Sequence, residues 1–115
     1  MNQAGIIRNR REVANLIRVS NRKPNCLVWH SGETNEHIQM KLEICKYLKK
    51  QGIEFYTEAI FNSGLRADVI NADEKICYEV YESEGMESLK EKRNTYPIEV
   101  RFVKAGVVWN EKLIQ

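Results

Sequence analysis

The chain has 115 residues, of which 43% are hydrophobic and 30% charged, and its formal net charge is +2. That length sets the scale of one domain with a modest core, and no apolar run approaches the roughly 20 residues needed to cross a bilayer. Ile6 and Ile7 run at once into Arg8, Arg10 and Arg11, which leaves no apolar leader core, so a cytoplasmic protein without a membrane partner is expected.

The charge is unevenly spread. Residues 1–23 hold Arg8, Arg10, Arg11, Arg18, Arg22 and Lys23 against a single acid, Glu12, so the remainder is net acidic. A basic segment joined to an acidic body suits a protein that holds phosphate on one surface and metal on another; the plainer reading is a solvated amphipathic helix. Cys26, Cys45 and Cys77 are too few and too scattered for a disulfide framework. Cys45 and Cys77 read as small core residues. Cys26 and His30, with His37 further on, lack the fourth ligand and the tighter spacing of structural zinc.

Taken in order, residues 9–19 carry Val13, Leu16, Ile17 and Val19 at helical spacing, within a basic arm or helix over residues 1–25. Pro24 ends it. Residues 26–29 form a brief apolar run. Residues 31–34 offer caps for a long helix to about residue 50, with Ile38, Leu42, Cys45 and Leu48 as its stripe and Lys49, Lys50 and Gly52 closing it. Three strand-like segments follow, at residues 53–61, 66–71 and 75–81, separated by short turns, and predict an antiparallel meander. A short helix over residues 86–94 stops before Pro97. Residues 98–103 alternate as a strand, and residues 106–114 form a last apolar segment with Trp109. A last strand reached through a helix can join the meander in parallel. The expectation is a single α/β domain over residues 1–115, with a small mixed β-sheet flanked by helices.

The chemistry lies in acids where strands should be apolar. Asp68 sits between Ala67 and Val69, and Glu79 between Tyr78 and Val80. Such acids are costly unless paired with a cation or a metal. In a hairpin they can lie side by side near one sheet end, as a hard-oxygen site suited to Mg2+ or Mn2+. The competing reading is a pair of acids on the solvent side of a one-faced sheet. A third carboxylate can come from the start of the long helix, where Glu36 and Glu33 both stand; either can instead only complement the helix dipole.

Glu36-His37 on a long helix, then Arg66-Ala67-Asp68-Val69-Ile70, then Tyr78-Glu79-Val80-Tyr81, resembles the three core motifs of the PD-(D/E)XK (restriction-endonuclease-like) nuclease superfamily. The likeness covers residues 30–105 and is nearest to a subset with a Glu-His helix, an Arg-x-Asp strand and a Glu-x-Gln third strand. It implies an αβββαβ core, Mg2+ or Mn2+ on Asp68 and Glu79 with Glu36 assisting, and hydrolysis of phosphodiester bonds in DNA. One position departs: Tyr81 stands where the superfamily has lysine and the subset glutamine. Its hydroxyl can hold water but carries no charge near neutral pH. Lys92 is the first choice for a cation supplied from elsewhere, ahead of Lys90 and Lys41. The catalytic set implied is therefore Glu36, Asp68, Glu79, Tyr81 and Lys92. Arg8, Arg10, Arg11, His30, His37 and Lys41 are the candidate nucleic-acid contacts, with Tyr96 and Arg93 facing the same groove. A structure-selective or weakly specific endonuclease acting as a homodimer is expected, with Val107, Val108 and Trp109 as a candidate interface. The alternative is an inactive relative that binds nucleic acid or protein.

Overall fold

The computed structural model describes residues 1–115. Helix α1 (Gln3–Leu16) is capped by the Asn2 side chain, and a short 3-10 turn (Val19–Asn21) follows. Helix α2 (Asn35–Lys50) begins where Thr34 accepts from the His37 N–H, and its last turn carries Lys49 and Lys50. Strands β1 (Phe55–Ile60), β2 (Arg66–Asn71) and β3 (Ile76–Tyr81) form the antiparallel meander. Helix α3 (Met86–Thr95) carries the chain to β4 (Glu99–Lys104), which pairs with β3 in parallel. The sheet order is β1-β2-β3-β4. The α1 helix starts earlier and ends sooner than its apolar spacing predicts, and residues 26–29 form no strand. The final apolar segment is a turn and a 3-10 helix (Glu111–Ile114).

Two apolar clusters lie on the two faces of the sheet. On one face Met40, Ile44, Cys45 and Leu48 of α2 pack on Phe55, Val69, Ile76, Tyr78, Val80 and Val103. On the other, Val13 of α1 and Ile17 just beyond it pack on Tyr56, Ala59, Phe61, Ala67, Ile70, Cys77 and Val100. The outcome is a three-layer arrangement, helix on sheet on helix. No helix is long and apolar enough to cross a membrane.

The strands do not alternate cleanly, and the breaks fall at the two acids that face each other across β1 and β2. Tyr56 shares a cluster with Ala59 rather than with residue 58, and Ala67 shares one with Ile70 rather than with residue 69. Glu58 has φ +50, in the left-handed region that a long side chain rarely enters. Pairing of β1 with β2 keeps one register on both sides of this point, from Phe55↔Asn71 to Ile60↔Arg66, so the two strands slip together. The β2–β3 ladder has its registered pairs at Val69↔Tyr78, Ile70↔Cys77 and Asn71↔Ile76. Beyond Val69 the strands separate, at the end of the sheet away from their connecting turn.

Leu48→Ala should lower stability by about 2–5 kcal/mol, because Leu48 is fully buried between α2 and the sheet. Val108→Ala, at a position 91% exposed, should change it by less than about 0.5 kcal/mol. Urea unfolding of both variants checks the contrast, and equal midpoints would contradict the described core.

Candidate functional site

Where β2 and β3 part, side chains replace the missing backbone ladder. The Val80 N–H donates to Asp68 Oδ2 at 2.8 Å, and the Asp68 N–H donates to Glu79 Oε2 at 3.2 Å. Each acid thus satisfies a backbone group of the opposite strand, which meets the requirement that buried N–H groups be paired. Glu79 is almost wholly buried, whereas Asp68 keeps a partly open side chain.

The two carboxylates are pushed in opposite directions. Burial, and then the neighbouring Asp68, push Glu79 well above the ordinary carboxylate range. Burial also opposes the charge on Asp68, but hydrogen bonds from His37 and Glu79 outweigh it and hold Asp68 below its usual value. Close like charges force this division. The Tyr96 hydroxyl stands beside the pair. Its oxygen lies 2.7 Å from the Arg66 carbonyl and within hydrogen-bond reach of Glu79 Oε1. Its single proton is shared between these two acceptors, and donation to Glu79 partly offsets the upward push on that carboxyl.

These groups open into a cleft of about 490 Å³, whose walls include Glu33, His37, Glu58, Arg66, Tyr81, Glu82, Glu84, Lys92 and Tyr96. Lys92 reaches in from α3 with its ammonium 2.9 Å from Glu84 Oε1. Tyr81 lies on the wall with its ring edge-on to Phe102, centroids 6.5 Å apart.

Behind the cleft runs a chain of charges. His37 Nδ1 is 2.6 Å from Glu33 Oε2, and its Nε2 is 3.4 Å from Asp68 Oδ2. The Asp68 carboxylate raises the His37 pKa to about 9, against some loss from burial, and Glu33 adds to the rise. Lys41 is fully buried, and its ammonium lies 2.7 Å from the Val28 carbonyl, 3.1 Å from Glu33 Oε1 and 2.9 Å from Glu58 Oε1. Burial works against the Glu33 charge, yet hydrogen bonds from Glu58, the His30 backbone, Lys41 and His37 hold it at about 2. Burial and the adjacent Glu33 raise Glu58 instead. A second pair of acids thus divides its charge as Asp68 and Glu79 do.

Asp68, Glu79, Tyr81, Lys92, His30 and His37 all line this one cleft, and Tyr96 lines it too. Glu36 does not. It is exposed and lines a separate groove with Gln39, Glu43 and Trp109. Glu33 occupies the place expected for Glu36: it stands in the loop before the Thr34 cap, where His37, Lys41 and the His30 N–H hold it, whereas Glu36 in the first turn of α2 points away. Lys41, expected as a nucleic-acid contact, is enclosed and fully engaged by protein groups. Arg10 binds Asp73 at 2.7 Å, in the turn joining β2 to β3, which puts the Arg8–Arg10–Arg11 stretch at the opposite end of the sheet from the cleft. Arg93 lies over the Phe102 ring, 5.3 Å from its centroid. Cys45 and Cys77 are buried.

Glu58 was the residue missed by sequence reasoning. It stands between Thr57 and Ala59 in an apolar strand, the same signal that singled out Asp68 and Glu79. Three-donor geometry suited to a metal occurs at His30, Glu33 and Glu58, whose ligand atoms lie within 4.8 Å of one another. Asp68 and Glu79 are a pair, so a cation there needs water or substrate oxygens to complete its shell.

Lys41→Ala should cost about 3–5 kcal/mol in unfolding, since it leaves Glu33 and Glu58 buried without their cation. Lys41→Met combined with Glu33→Gln and Glu58→Gln should recover much of that loss. In metal-free protein, His37 should titrate by NMR near pH 9, and Glu33→Gln should lower that midpoint. Because its pKa rises from 6.5 on folding, its stabilising effect is complete below pH 6.5 and fades as pH climbs through about 9. Glu33 falls from 4.5 to about 2, so its contribution holds above pH 4.5 and is lost on acidification toward 2. A His37 midpoint near 6.5 would contradict the ion pair.

Comparison with protein-family models, with curated proteins and with solved structures finds no match to this chain.

Proposed function

We propose that this protein is a divalent-metal-dependent DNA endonuclease of the PD-(D/E)XK type, with Asp68 and Glu79 as its metal-binding pair. The carrying observation is the exchange of side-chain for backbone hydrogen bonds between Asp68 and Glu79 at the parted ends of β2 and β3, facing a polar cleft. The order of elements, α2-β1-β2-β3-α3-β4, agrees with the αβββαβ core which that resemblance implies.

The donor set fits Mg2+ or Mn2+, being carboxylate oxygen with room for water. Asp68 meets Val80 and His37 through Oδ2, which leaves Oδ1 to a cation. The proton held between Asp68 and Glu79 is what such a cation displaces. Bound there, the metal would supply Lewis acidity toward a phosphate oxygen and an activated water. Lys92 offers a positive charge in the place that Tyr81 cannot, and its ammonium would offset charge gathering on the phosphate. The Tyr81 hydroxyl can hold a water beside it. His37, tied by Glu33, keeps Asp68 in one orientation. Arg66, with its side chain 54% exposed at the mouth of the cleft, is the natural contact for a flanking phosphate. Cutting both strands of a duplex needs two clefts, so the reading includes a homodimer, with Val107 and Val108 as the apolar surface available to it.

Tyr81 motivates a second reading, a nuclease-like protein that binds nucleic acid without cutting it. Branched, duplex and single-stranded DNA incubated with Mg2+ or Mn2+ separates the two. Cleavage is expected, with loss below detection in Asp68→Asn and Glu79→Gln and a fall of about 100-fold in Lys92→Met. Intact DNA under every metal condition, with salt-dependent binding retained, would favour the inactive reading. Absence of binding would remove both.

A further inference from the structure

We propose that His30, Glu33 and Glu58 form a cation site of their own, for a first-row transition ion such as Zn2+ or Mn2+, in the same cleft as Asp68 and Glu79 and separate from them. The inference does not depend on phosphodiester hydrolysis, since the site is defined by its donors alone.

The donor atoms of these three residues already lie within 4.8 Å of one another. One imidazole and two carboxylates suit the borderline first-row ions, and leave a position open to water. An independent observation comes from Glu58. Its side chain is only 10% exposed, and its Oε2 is buried and accepts no hydrogen bond from any N–H or O–H. The neighbouring cations do not supply one. The Lys41 ammonium has three protons and directs them to the Val28 carbonyl, Glu33 and Glu58 Oε1. The Arg66 Nε stops 3.7 Å from Oε2, too far for a hydrogen bond. A buried carboxylate oxygen with no donor is the kind of group a cation satisfies. The backbone at Glu58 is bent to φ +50 to hold the side chain there, and such strain gathers at working sites.

Charge supports the same assignment. Burial and then the adjacent Glu33 raise Glu58, and a cation between the two carboxylates would relieve their repulsion. Lys41 keeps its contacts on Glu58 Oε1 while Oε2 is used. Two local changes are required. The Glu33 oxygens already accept from the His30 N–H, Lys41 and His37, so one of these bonds yields to the ion. His30 Nδ1 accepts the Gly32 N–H at 3.1 Å, which puts the neutral ring's proton on Nε2. Ligation through Nε2 breaks that bond. The side chain is 53% exposed on a loop, so the ring is free to turn.

The test is calorimetric titration of the full chain with Zn2+ alone, in an Asp68→Asn/Glu79→Gln background that removes the other pair. One equivalent is expected to bind. Adding Glu58→Gln or the exposed His30→Ala should weaken binding by about tenfold or more, a scale that outer-shell changes alone already reach. Circular dichroism checks that each variant is folded, and His30→Ala serves if Glu58→Gln is not. No zinc binding in the double variant, or binding untouched by His30→Ala and Glu58→Gln, overturns the proposal. Cleavage of DNA by the wild type in Mg2+ together with that result would leave the endonuclease reading intact and remove only this site.

Discussion

Asp68 and Glu79 each hydrogen-bond the backbone of the other's strand, and the geometry of the cleft follows from that exchange. A regular ladder would have consumed these N–H groups between main chains and left no opening. Parting β2 from β3 beyond Val69 creates the opening, and the carboxylates make it tolerable by accepting the freed donors. Burial and the nearness of Asp68 push Glu79 up, while hydrogen bonds from His37 and Glu79 hold Asp68 down.

A second constraint lies directly behind. Lys41 is a fully buried ammonium, retained because the Val28 carbonyl, Glu33 and Glu58 surround it. A lone buried charge would be ejected or neutralised. Paired in this way, it ties α2 to β1 and to the segment that runs along β1's outer edge. Glu33 then carries the connection forward to His37, and His37 to Asp68. The position of one cleft carboxylate thus depends on a lysine that solvent never reaches.

The charge distribution has two poles. Acids dominate the cleft walls, with Lys92 and Arg66 as its main cations. The arginines of early α1 lie at the other end of the sheet, where Arg10 is occupied by Asp73. Arg66 and Lys92, not the arginines of early α1, are the cations that an anion in the cleft would meet.

The sequence by itself determined the elements whose signals are local. Thr34 and the stripe through Cys45 and Leu48 bounded α2, and the turns between apolar runs gave the meander, because capping and periodicity act within a few residues. It also marked Asp68 and Glu79, since an acid between apolar neighbours is costly wherever the strand lies. Tertiary structure decided what distance along the chain conceals. That Glu33 rather than Glu36 faces the cleft depends on the loop before the Thr34 cap, which folds Glu33 back onto His37 and Lys41. Glu58 carries the same mark of an acid in an apolar strand, but which way it faces depends on the backbone twist at φ +50, a tertiary feature. Lys41 looked like a surface lysine, because lysines are rarely buried, and only the convergence of Val28, Glu33 and Glu58 from three separate segments encloses it. Local physics wrote the strands and helices; the pairing of charges brought together from afar wrote the site.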